Sequence, residues 1–96
     1  MLNQIVLVGR IIENEEEGYI TIAVPRNFKS EEGEYDTDYI KCKVMGHVEK
    51  NTKEWTKKGD TIGIRGRLQE EEGTLYVMAE KVTFLSSKKE KENENN

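Results

Sequence analysis

The chain reads as an all-β protein with one short helix, its five strands closing into a single barrel. Three observations lead there. Five stretches of the 96 residues are β-branched runs or two-residue alternations of apolar and polar side chains. One polar stretch between the third and fourth of these closes in basic residues and a glycine, as helices do. With 34% hydrophobic and 35% charged residues, the chain can fill one small core and not two.

Residues 5 to 12, Ile-Val-Leu-Val-Gly-Arg-Ile-Ile, form the first strand, with a bend or bulge expected at Gly9. Both of its faces are apolar, so one lines the core and the other needs cover from a neighbouring sheet or subunit. Residues 19 to 25 set Ile20, Ile22 and Val24 on one face and Tyr19, Thr21 and Ala23 on the other, until Pro25 ends the strand. Residues 38 to 45 point Ile40, Cys42 and Val44 one way and Tyr39, Lys41, Lys43 and Met45 the other. A helix follows over residues 48 to 58, stopped by Gly59, with Trp55 packing it onto the barrel. Residues 61 to 68 turn Ile62, Ile64 and Leu68 inward and Arg65 and Arg67 outward, with Gly63 and Gly66 permitting curvature. After a hairpin over residues 70 to 73, the fifth strand runs from 75 to 85. Five strands with a helix between the third and fourth is the element order of a five-stranded OB-fold barrel. Residues 86 to 96 contain only Lys, Glu, Asn and Ser, so a domain over 1 to 85 is expected to be followed by a disordered polar tail.

Several functions are excluded early. The longest apolar run is four residues, Ile5 to Val8, far short of the roughly 20 that a membrane span requires. No basic stretch followed by an apolar run opens the chain, and a cytoplasmic location is expected. Cys42 has no second cysteine to pair with and is most simply a small buried hydrophobe; with His47, the only histidine, it cannot complete a zinc site. There is no P-loop, Rossmann fingerprint or nucleophile and base arrangement. No catalytic residue, metal, cofactor, small-molecule substrate or membrane partner is expected, and the chain is not expected to be an enzyme.

The formal charge of -4 argues at first against a nucleic-acid partner. Its distribution reverses that. Twelve of the 19 acids fall in three short blocks, over residues 13 to 17, 31 to 38 and 70 to 72, each beside a glycine and read as a turn. The tail's lysines and glutamates cancel. What remains is a framework with a surplus of about eight positive charges, carrying acidic turns. Solvation of exposed loops explains such turns adequately; repulsion of duplex phosphates beside a groove that admits one strand would also use them.

Single-stranded nucleic acid needs cations spaced along its backbone and flat or polarisable groups on which unpaired bases stack. The third strand offers both on one face: Tyr39 and Met45 bracket Lys41 and Lys43, with same-face residues roughly 6.5 to 7 Å apart. Phe28 follows Pro25 among polar residues and is expected to be exposed at the rim of the second strand, with Arg26 and Lys29 beside it. A plain solvated sheet surface would carry the same tyrosine and lysines.

The segments that hold these residues resemble the bacterial single-stranded DNA-binding protein family over residues 2 to about 85. Leu-Asn-Gln-Ile-Val-Leu-Val-Gly-Arg-Ile, residues 2 to 11, looks like that family's first strand, usually written Asn-x-x-x-Leu-x-Gly-Arg-Leu. Residues 20 to 24 are similar to its second strand and 38 to 46 to its third. Residues 54 to 68 resemble its helix end, lysine-glycine turn and Gly-Arg-Leu strand, and 79 to 85 its closing segment. The resemblance implies base-stacking positions at Phe28, Tyr39 and Met45, and a backbone-contacting position at Lys41. Met45 departs from it, placing a thioether where the family has a ring. The turns after the first, second and fourth strands are short, and residues 69 to 73 bring no aromatic or basic side chain. The chain ends Glu-Asn-Glu-Asn-Asn instead of in the family's acidic tip closed by apolar residues. A compact member without that tip is also similar to primosomal replication protein N, a dimeric relative of the fold, or to an accessory form from a phage or mobile element.

The expected function is therefore sequence-tolerant binding of single-stranded DNA in replication, repair or recombination. Phosphates would be neutralised by Arg10, Arg26, Lys29, Lys41, Lys43, Arg65 and Arg67, with Arg10 and Arg65 open to capture by a loop glutamate instead. The alternative is a protein-interaction module, or primosome accessory, that docks a basic replication partner through its acidic loops. The doubly apolar first strand predicts a homo-oligomer, dimer or tetramer.

Overall fold

The computed structural model describes residues 1 to 87. Five strands, β1 (Ile5–Glu13), β2 (Tyr19–Lys29), β3 (Tyr35–Lys43), β4 (Thr61–Glu71) and β5 (Thr74–Ser86), close into a barrel in the order β1-β2-β3-β5-β4, with one helix, α1 (Gly46–Trp55), between β3 and β4. All neighbours are antiparallel except β3 and β5, whose short parallel pairing at Cys42 and Lys43 closes the barrel. Ile11, Ile20, Ile22, Cys42, Val44, Ile62 and Ile64 are fully buried and form its core. These are the inward sets that two-residue alternation selects, since each strand can bury only every second side chain.

Boundaries differ from the expectation where local signals compete with pairing. Pro25 does not end β2: it pairs with Thr37, and the strand continues through a register irregularity to Lys29. A missing N–H costs one ladder bond, which an irregular stretch tolerates. Val44 and Met45 leave β3, and Met45 becomes the N-cap of α1, which begins two residues early. The helix also ends early, at Trp55. Thr56 turns to extended backbone while its N–H and its hydroxyl both donate to the Thr52 carbonyl, at 3.0 and 2.6 Å. Val48 packs on the core and Thr52 is buried, but Trp55 at the helix end stays 75% exposed and does not pack on the barrel as expected. Ser86, assigned above to the tail, is the last residue of β5 and pairs with Thr61, and Ser87 beyond it is half-buried; residues 88 to 96 of that expected tail lie outside the described residues.

Gly9 is not the site of a bulge; the irregularity in β1 falls between Ile11 and Glu13. Its small size matters because a Cβ there would sit 2.6 Å from the Ala23 carbonyl oxygen. Gly66 is tighter still, with a Cβ position 1.9 Å from the carbonyl oxygen of Met78, beside the irregularity that bends β4 against β5. Acidic blocks and turns coincide only in part. Asp36 and Asp38 lie within β3, and Glu70 and Glu71 end β4, leaving Glu72 and Gly73, both at positive φ, as the two-residue hairpin. Among the described residues no helix is long and apolar enough to cross a membrane.

Candidate nucleic-acid interface

The β2 and β3 ladder sets the site. Tyr19 lies opposite Lys43, Thr21 opposite Lys41 and Ala23 opposite Tyr39, so the outward residues of both strands form one surface. Tyr39 is 68% exposed on it. Phe28, in the extension of β2 beyond Pro25, is 61% exposed, and Met45, at the junction with α1, is 64% exposed. The three side chains expected to stack are thus all open to solvent. Met45 reaches this position from the helix cap and not from the strand.

The cations of the face are not bare. Lys41 forms an ion pair with Glu16 at 2.9 Å and stands 4.5 Å from the centre of the Tyr19 ring. Lys43 is paired with Glu71 and lies 4.2 Å from the centre of the Tyr76 ring. These carboxylates hold both ammonium groups more firmly protonated than usual, while Lys43 pulls the Glu71 carboxyl below its ordinary range. Arg26 donates two hydrogen bonds to Asp38, at 2.9 and 3.1 Å, and this pairing depresses the Asp38 carboxyl. Arg67 donates to Gln69 at 2.7 Å, Gln69 donates to Glu71 at 2.8 Å, and Glu71 accepts from Lys43. A polar chain therefore ties the β4 arginine to the β3 lysine. Lys29 stands 5.8 Å from the Tyr35 ring centre.

Arg10 and Arg65 pair with no loop glutamate among the described residues. Arg10 shares a row with Ala23 and so lies two strands from Tyr39, lining an open hollow of about 410 Å³ with Val8, Pro25 and Thr37. Arg65 stands between Val6 and Lys81 on β4, two strands from Tyr39 by way of β5, and among the described residues no ion pair or ring contact ties it to the Tyr39 surface. The tyrosines at 19, 35 and 76 were not singled out in the sequence. Tyr19 could have been, since it falls on the polar face of its strand. Tyr76 could not, because only the parallel closure of β3 on β5 carries it to Lys43.

Barrel order together with an outward surface of rings and cations defines a barrel of the OB-fold class. Residues 2–85 match the model of the single-strand binding protein family, and the chain belongs to that family. It is 41% identical over 78 residues to single-stranded DNA-binding protein 2 of Streptococcus pyogenes, covering 72% of this chain and 48% of that one. It is 40% identical to single-stranded DNA-binding protein 3 of Streptococcus agalactiae, with 72% and 56% covered. In fold it is similar to a deletion variant of the single-stranded DNA binding protein from Thermus aquaticus, with a TM-score of 0.67 at 23% identity over 91% of this chain and 52% of the other. The chain spans about half the length of these relatives.

Proposed function

We propose that the chain binds single-stranded DNA without marked sequence preference, as a participant in replication, repair or recombination in the bacterial cytoplasm. Bases stack on Phe28 and Tyr39 and lean on the Met45 thioether, while phosphates are met by Lys41, Lys43, Arg26, Lys29 and Arg67, with Arg10 flanking. One observation carries this reading: the β2 and β3 register sets Tyr39, Lys41, Lys43 and Tyr19 on one outward surface, while Phe28 and Met45 are exposed beyond the paired stretch. Family membership supports it. Residues 1 to 85 supply the binding unit. The rival docking of a basic protein is less well supplied, since Glu16, Asp36, Asp38 and Glu71 are already engaged within the chain.

Titration of oligo(dT) at two salt concentrations, followed by tyrosine and tryptophan fluorescence, tests the reading. Tight binding that weakens as salt rises is the expected result, because phosphate contacts release condensed counterions. Absent or salt-insensitive binding at micromolar protein would refute it. We further propose that copies associate through the outer face of β1, where Val6 and Val8 are 69% and 52% exposed and Leu85 lies beside them over Gly63.

A further inference from the structure

Three of the cations nearest the exposed rings each hold a carboxylate of the same chain, and every carboxylate comes from a different acidic block. Glu16, in the turn between β1 and β2, reaches Lys41 at 2.9 Å. Asp38 on β3 binds Arg26 through two hydrogen bonds, with Asp36 behind it at 3.9 Å. Glu71, at the end of β4, binds Lys43 and through Gln69 also communicates with Arg67. A scatter of solvating glutamates would not place one partner on each central cation. The face therefore offers an incoming phosphate no vacant cation at these three positions.

We propose that Glu16, Asp38 and Glu71 are intramolecular competitors for the phosphates of the bound strand, displaced when DNA binds, so that phosphate contact alone holds little and base stacking is required. The inference rests on the single-stranded DNA reading and names the residues that set its selectivity. An exposed ion pair contributes little, so exchanging a carboxylate for a phosphate nearly balances. The displaced carboxylate also stays tethered beside the backbone and repels it. Stacking on Phe28 and Tyr39 then decides occupancy. A polyanion without bases lacks that contribution, and a duplex hides its bases.

The test compares oligo(dT) with a base-free deoxyribose-phosphate oligomer of equal length, at fixed salt, using the full chain. Glu16→Gln, Asp38→Asn and Glu71→Gln are each expected to raise oligo(dT) affinity roughly 1.5- to 5-fold, the range that breaking an exposed pair allows. The triple variant is expected to bind the base-free oligomer at protein concentrations where the unaltered chain does not. In a Lys41→Gln background the Glu16→Gln gain should disappear, since its site of competition is gone. Unchanged or weaker oligo(dT) binding by the triple variant overturns the proposal. So does a Glu16→Gln gain that persists in full without Lys41, which would mark general charge repulsion. An unaltered chain that ignores oligo(dT) altogether overturns the binding reading itself, and is distinguished by that control.

Discussion

Tyr39 and Phe28 contribute little to the core, being largely exposed. Replacing either with alanine should therefore leave the melting temperature near that of the unaltered chain while weakening oligo(dT) binding by about 1 to 3 kcal/mol, read by fluorescence titration. Cys42 is the opposite case. It is fully buried, and burial pushes its thiol up to about 11, so at pH 8 it carries almost no thiolate. A disulfide reagent should label it only after the protein is unfolded in guanidinium; prompt labelling of the native chain would contradict the packing described. Both residues could be placed from alternation alone, Cys42 inward and Tyr39 outward. Trp55 could not. Its spacing from Val48 and Thr52 continues the buried helical stripe, yet the helix stops there and the ring is left in solvent.

Strand pairing and the helix attachment each include a contact that a single mutation can reach. Alanine at Gly66 would drive a methyl group into the Met78 carbonyl, which backbone on both strands must move to relieve. A loss of about 3 kcal/mol is expected from denaturant unfolding, at the upper end for overpacking. The helix is tied to the turn between β1 and β2 by Glu49, which accepts the Gly18 N–H and pairs with Lys53 at 3.1 Å. The Gly18 hydrogen bond, and after it Lys53, holds the Glu49 carboxyl below its ordinary range. Its stabilisation is thus fully present above the usual carboxylate pKa and is lost as pH falls through the depressed value. Glu49→Gln should melt earlier than the unaltered chain at neutral pH, and the difference should close in acid. The sequence marked the acidic block at residues 13 to 17 as a turn and residues 48 to 58 as helical. That Glu49 joins the two follows from how α1 lies across the barrel.

At the scale of the whole molecule, the outer side of β1 leaves Val6, Val8 and Ile12 exposed as an apolar strip. Glutamate at Val8 is expected to lower the mass seen in sedimentation to that of a single chain, because an unpaired charge in an apolar contact is costly. If the unaltered chain already sediments as a monomer, association through β1 is wrong. Alternation along the chain was enough to name most of the core of β2, β3 and β4 and the face carrying Tyr39, Lys41 and Lys43, because a strand's burial pattern repeats every two residues and is visible locally. What alternation could not supply is the company those residues keep. Lys43 meets Glu71 and Tyr76, and Lys41 meets Glu16, only after the ladder registers and the parallel closure of β3 on β5 bring distant segments together. Charge pairing depends on distances through space, and those are fixed by the closed barrel, not by spacing along the chain.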